Sequence, residues 1–116
     1  MLSPYVMPGI QEGTDTINFV FMSACYSTIE KETSVTKEQI LSKVRKRPYV
    51  DAKKVIAIAL RKHTKIKVID IGIEFNVDHS TISHYIKVFD SLYKHDSAFR
   101  ELYDRLTYSL IEKQLI

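Results

Sequence analysis

Asp78, His79 and Ser80 are three consecutive polar side chains at the predicted start of a helix. A carboxylate only accepts hydrogen bonds, whereas an imidazole and a hydroxyl can each donate or accept. At a helix start, such groups can read the donor and acceptor pattern of base edges in a DNA major groove. Asp78 can equally cap the helix by accepting from free backbone N–H groups, with or without a base contact. The alternative for His79 is a solvated surface histidine.

A second set of side chains has the chemistry of phosphate contacts. Thr81 can donate to a phosphate at the helix start, where free N–H groups and the helix dipole favour an anion. The other candidates are Lys53, Lys54, Arg61, Lys65, Lys67, His84 and Lys87. If about six phosphates are engaged, counterion release predicts a log–log salt slope of about −5. The alternative is a basic face that is merely solvated.

Residues 68–87 contain Asp78, His79 and Ser80 and must position them. The pattern of these residues predicts two helices joined by a tight turn. Asn76 tolerates a left-handed backbone and can end the first helix just before Asp78. Helically spaced apolar residues lie on both sides of the turn: Val68, Ile71, Gly72 and Phe75 before it, and Ile82, Ile86 and Phe89, beside Tyr85 and Tyr93, after it. This pattern is typical of a helix-turn-helix whose second helix enters a DNA groove.

The positive charge of the chain is concentrated in one segment. Residues 43–67 contain ten Lys or Arg and one acidic residue, whereas the whole chain has 17 basic and 14 acidic residues. Such segregation indicates an anionic partner, either nucleic acid or a membrane surface. The segment lacks the large, helically spaced aromatic residues of a membrane-surface helix, which favours nucleic acid.

Composition indicates one helical domain. The chain has 116 residues, 45% of them apolar, with three Pro and three Gly, which suits a single domain with a real core. No apolar run is long enough to span a membrane, and no secretion signal is recognisable. The single cysteine, Cys25, cannot form an internal disulfide, which fits a reducing cytoplasm. We expect it to be buried as a small apolar residue rather than to be a reactive thiol.

The order of elements follows from breaks in the pattern. We expect a flexible arm over residues 1–13 and a single helical domain over residues 14–116. Its parts are a first helix and connector (14–47), a basic helix plus the helix-turn-helix (49–95) and a C-terminal helix (96–116). Within the connector, Thr36 and Gln39 have capping-box spacing, and we expect the short helix there to reach residues 43–47 and stop at Pro48. The last helix should be capped by Asp96 or Ser97.

Residues 19–22, in the first helix, are apolar nearly all round. Such a run is either buried or a contact surface for a protein partner, and we expect burial.

Three groups of residues together resemble the C-terminal DNA-binding domain of the bacterial replication initiator DnaA. They are the basic run 45–60, Ile71 and Gly72 with Phe75, and the run Asp78-His-Ser-Thr-Ile82. The resemblance covers about residues 14–106. It implies an all-α fold of five to six helices with a central helix-turn-helix, similar to Trp repressor. It also implies binding to a short box of double-stranded DNA in origins and promoters.

The resemblance further implies roles for particular residues. Asp78, His79 and Ser80 would contact base edges in the major groove. Arg45 would enter the adjacent minor groove, with Lys46 and Arg47 as close alternatives. The sequence departs from the family at Asn76 and Val77, which replace the usual glycine and arginine before Asp78, and at Asp51, where the initiators often have a basic residue.

These observations predict sequence-specific binding of double-stranded DNA at DnaA-box-like sites, in control of replication initiation or of transcription. The chain contains no Gly-x-x-x-x-Gly-Lys-Ser/Thr phosphate loop, so we expect no ATPase module and no bound nucleotide. We also expect no enzyme activity, metal or cofactor, and a monomer. The alternatives are a protein-interaction module, docking through the first helix, and a non-specific DNA-binding protein. A free-standing cytoplasmic, nucleoid-associated protein of bacterial, phage or mobile-element origin is favoured slightly over an excised domain.

Overall fold

The computed structural model describes residues 12–116, with side chains from Asn18 onward, so residues 1–11 of the predicted arm lie outside it. This part of the chain is all-helical, as predicted, and contains seven helices rather than five to six. They are α1 (Glu12–Thr33), α2 (Lys37–Leu41), α3 (Arg47–His63), α4 (Val68–Phe75), α5 (His79–Lys87), α6 (Phe89–His95) and α7 (Ser97–Glu112). None of them is both long and apolar enough to cross a membrane.

Helix α3 is the centre of the molecule. Its residues from Val55 to Leu60 are all buried, including those on the side that would face solvent in a surface helix. Helices α1, α2, α4, α5 and α7 all pack against it. An apolar run that continues around a helix needs neighbours on every side, and these five helices provide them.

The connector differs from the prediction. The capping box is present, since Thr36 and Gln39 bond each other's backbone N–H groups at 3.2 and 2.9 Å. Helix α2 nevertheless ends at Leu41, because Ser42 turns back and donates to the Gln39 carbonyl at 2.7 Å. Pro48 does not stop this helix but lies in the first turn of α3. A proline is tolerated there because first-turn N–H groups have no partner within the helix.

The second helix of the helix-turn-helix is also shorter than predicted. Val88 separates α5 from α6 with φ −91° and ψ 3°. The break directs Phe89 into an aromatic cluster with α7, where its ring centroid lies 4.9 Å from that of Tyr103 and 6.1 Å from that of Phe99. Tertiary packing of these rings accounts for a break that local helical spacing did not indicate.

Helix α1 starts at Glu12, two residues before its predicted start, and packs along α7, where the Thr28 and Ser109 hydroxyls lie 2.9 Å apart. Cys25 is fully buried, in agreement with its predicted packing role. The apolar run 19–22 has a mixed outcome, since Phe21 is buried whereas Phe19 and Val20 are exposed.

Candidate nucleic-acid interface

The turn of the helix-turn-helix is a tight left-handed cap. Asn76 has φ 55° and ψ 46°, and it ends α4 as predicted. The Val77 N–H donates to the Gly72 carbonyl at 2.9 Å and the Asn76 N–H to the Ile73 carbonyl at 3.2 Å, which is the Schellman pattern. A Cβ on Gly72 would lie 2.8 Å from the Val77 carbonyl oxygen. The close approach of α5 to α4 therefore requires glycine at this position.

The start of α5 is capped by Asp78, also as predicted. Its Oδ1 accepts a hydrogen bond from the Ser80 N–H at 2.8 Å, while its side chain stays 66% exposed. This hydrogen bond holds the pKa of the Asp78 carboxyl below its ordinary value. His79 Nδ1 lies 3.3 Å from the same oxygen. The cap thus holds a carboxylate and an imidazole side by side at the surface.

The polar face of α5 lies where the sequence predicted. Asp78, His79, Ser80, His84 and Lys87 are exposed, and Thr81 is half-buried. Ile82 and Tyr85, by contrast, are buried against the rest of the domain. A capped helix that presents short polar side chains at its N-terminal end can enter a DNA major groove.

A groove of about 400 Å³ runs between residues 42–45 and the helix-turn-helix, and we name it the loop–helix groove. Its lining includes Lys43, Val44 and Arg45 from the loop and Asp78, Thr81 and Tyr85 from the helix-turn-helix. The turn residues Asn76 and Val77 also line it, as does Lys53 from α3. The fold therefore brings Arg45 to the same groove as Asp78 and Thr81, whereas His79 and Ser80 do not line it.

The cations at the loop–helix groove lie close together. Burial and then the charge of Arg45 lower the pKa of Lys53, so these two positive groups are close enough to repel each other. Lys54 Nζ lies 5.7 Å from the centroid of the Tyr85 ring, within the range of a cation–π contact. Among the described residues, no ion pair joins Arg45, Lys53 or Lys54 to a carboxylate. Their charge is therefore available to an anion.

Arg47 occupies a different place from Arg45. Its guanidinium lies 3.2 Å from Asp51 and 2.6 Å from Asp96, and these carboxylates raise its pKa, Asp51 more strongly. Arg47 lines a second groove, formed with α1 and α7, and not the loop–helix groove. Lys46 is exposed, with its Nζ 5.9 Å from the Tyr49 ring centroid. Of the three alternatives for the minor groove, only Arg45 lines the loop–helix groove.

The remaining predicted phosphate contacts lie farther along the chain. Arg61 is exposed in the last turn of α3, and Lys65 and Lys67 are exposed in the connection to α4. None of the three lines the loop–helix groove. Lys65 and Lys67 thus come directly before the first helix of the helix-turn-helix.

Val44 and Tyr85 are among the residues that line the loop–helix groove and that sequence reasoning did not assign to the site. Tyr85 was placed with the apolar side of α5, although it follows Thr81 by one helical turn and shares its face. That spacing was the available signal. No comparable signal marked Val44, which is half-exposed in an irregular segment.

The described residues contain no cluster of three or more His, Cys, Asp or Glu side chains that could hold a metal ion. Residues 23–88 match the family model of the bacterial DnaA protein helix-turn-helix. The matched span includes every residue that lines the loop–helix groove. A search of curated proteins finds no match.

Proposed function

Because the chain belongs to the bacterial DnaA helix-turn-helix family, a family of DNA-binding domains that act in replication initiation, we propose that it binds double-stranded DNA at specific DnaA-box-like sites. Such binding would serve control of replication initiation or of transcription. In this proposal the chain recognises a DNA sequence and does not hydrolyse ATP.

The observation that carries this proposal is the shared loop–helix groove. In a DNA duplex, a major groove is separated from the adjacent minor groove by a single sugar–phosphate strand. Arg45 lines the same groove as Asp78 and Thr81 at the start of α5, and a loop cation beside the start of a recognition helix is suited to reach both DNA grooves across one strand. An arginine suits a narrow minor groove because of the enhanced negative potential there.

The proposed contacts divide into base readout and backbone positioning. Asp78, His79 and Ser80 would contact base edges in the major groove, and Arg45 would enter the minor groove. Lys46 is a secondary candidate, and Arg47 is left out because two carboxylates already hold it. Phosphate contacts are assigned to Lys53, Lys54, Arg61, Lys65, Lys67, Thr81, His84 and Lys87. We propose that the chain binds as a monomer.

One observation favours a second candidate function, a protein-interaction module. The Phe19 side chain is 70% exposed next to the half-exposed Val20. Two adjacent exposed apolar side chains on one helix can dock a protein partner. This role would not need the loop–helix groove.

Fluorescence anisotropy with labelled duplexes tests the DNA-binding function. The double variant Arg45→Ala/His79→Ala should lose its preference for a selected site over scrambled DNA, because it lacks one proposed contact in each DNA groove. The matched control Phe19→Ala/Val20→Ala should keep that preference. A double variant that discriminates as well as the wild type would refute the proposed site.

A further inference from the structure

Tyr85 is a buried aromatic ring with cations near it. It is 8% exposed, and it lines the loop–helix groove together with Arg45. Lys54 Nζ lies 5.7 Å from its ring centroid. We propose that Tyr85 is a positioning residue for DNA binding, whose ring holds Lys54 and Arg45 in place around the strand that crosses between the two DNA grooves. This inference rests on the proposed function.

The first step of the inference concerns electrostatics. Arg45, Lys53 and Lys54 come from a loop and from α3, and among the described residues no ion pair joins them to a carboxylate. Arg45 and Lys53 repel each other, since the charge of Arg45, after burial, lowers the pKa of Lys53. Asp78 is the carboxylate that lines the groove, and it already accepts the capping bond from Ser80. A DNA phosphate would relieve this repulsion.

The second step concerns what keeps the side chains in place without DNA. Lysine and arginine have many rotamers, and ordering them on binding lowers affinity. The face of an aromatic ring attracts a cation and limits its movement. Arg45 lines the same groove as Tyr85, and its charge opposes the rise that burial causes in the pKa of the Tyr85 hydroxyl. Tyr85 is itself fixed because α5 packs against α3.

The test compares two replacements of Tyr85. Tyr85→Phe keeps the ring and should bind duplex DNA like the wild type. Tyr85→Leu keeps an apolar side chain without a ring, and its affinity should fall about three- to tenfold, with a log–log salt slope smaller by about one. The NMR signals of the Lys54 side-chain methylene next to Nζ should show a ring-current shift in the wild type and in Tyr85→Phe but not in Tyr85→Leu.

Phe89→Leu is the matched control. Phe89 is also a buried ring under a lysine, with Lys62 Nζ 4.2 Å from its centroid, but it does not line the loop–helix groove. This variant should lose stability without a change in salt slope, which separates a general packing defect from loss of positioning.

The outcomes also separate this inference from the function on which it rests. If the wild type binds duplex DNA and Tyr85→Leu, still folded, binds with equal affinity and slope, Tyr85 is only a core residue. If Tyr85→Phe is as defective as Tyr85→Leu, the hydroxyl matters rather than the ring, and the inference is wrong. If the wild type does not bind duplex DNA, the proposed function itself fails.

Discussion

Arg47 on α3 lies 2.6 Å from Asp96 at the start of α7, and this ion pair joins two elements that are distant in sequence. Asp96 also accepts a hydrogen bond from the Phe99 N–H at 3.0 Å and so caps α7. The Arg47 side chain is 69% exposed, and exposed ion pairs contribute little to stability. The main consequence of the pair is that it directs Arg47 away from the groove that Arg45 lines.

Arg45 and Arg47 should therefore respond differently to the same substitution. Arg45→Gln should weaken duplex binding about tenfold and make the salt slope smaller by about one, because it removes a cation that we propose contacts DNA. Arg47→Gln should leave the salt slope unchanged. Affinity measured by anisotropy from 50 to 300 mM salt checks this, and equal changes in slope for both variants would contradict the assignment.

Gly72→Ala should destabilise the domain. Alanine normally stabilises a helix interior relative to glycine by roughly 0.5–1 kcal/mol. Here the new Cβ would lie 2.8 Å from the Val77 carbonyl oxygen, which is a backbone atom that cannot rotate away. We expect a loss of about 1–3 kcal/mol, as for other overpacked sites.

Urea unfolding measures the effect of Gly72→Ala. Ser83→Ala, at an exposed position of α5, is the control for a general gain in helix propensity. A stability of Gly72→Ala equal to or above that of the wild type would show that α4 and α5 can separate at no cost.

Because of Cys25, the free energy of unfolding should fall as pH rises above the ordinary pKa of a cysteine thiol. Burial raises the pKa of this thiol from 9.0 to about 12, so between these values the unfolded state loses a proton that the folded state keeps. The stabilising effect is fully present below pH 9 and is lost as pH rises towards 12. Between pH 8 and 10.5 we expect a loss on the order of 1–2 kcal/mol from this group.

Cys25→Ala provides the comparison, because it removes this contribution and keeps burial and Glu74, the main causes of the raised pKa of the neighbouring Tyr26. Its stability measured by urea unfolding should fall less over the same pH range. Identical pH dependence in the two proteins would mean that the thiol is not buried.

Asp78→Ser separates capping from base contact, because serine is also a good N-cap. The lowered pKa of the Asp78 carboxyl means that its charged form stabilises the folded state above the ordinary value of 3.8. This contribution is lost as pH falls through the lowered pKa. Asp78→Ser should therefore keep its stability at pH 7 and have a weaker dependence on acid pH.

Duplex binding by Asp78→Ser then reports on the base contact. We expect weaker discrimination at one base pair, by roughly 1–3 kcal/mol, if the carboxylate reads a base edge. Unchanged discrimination at every position of the site would leave Asp78 with capping alone.

Features that depend on nearby residues were predictable from the sequence. In the caps at Asp78 and Asp96 and in the capping box at Thr36, a side chain bonds a backbone group within three residues. The left-handed conformation of Asn76 follows from the tolerance of asparagine for positive φ. Their chemistry is complete within a short segment, so no tertiary structure is needed to predict them.

Features that depend on distant partners were not predictable. The partner of Arg47 is Asp96, and the break at Val88 serves an aromatic cluster completed by α7. Pro48 is a different case, because a proline can both end one helix and begin the next. The local pattern could not decide whether Pro48 ends one helix or begins the next. Because α2 ends at Leu41 and α3 begins at Arg47, the residues between them form the loop that contains Arg45.

Selection of binding sites from random duplexes, followed by competition at 0.15 M salt, tests the central claim most directly. The account predicts one recurring sequence that the wild-type chain binds roughly a thousandfold more tightly than scrambled DNA of equal length. Equal affinity for selected and scrambled duplexes would contradict it.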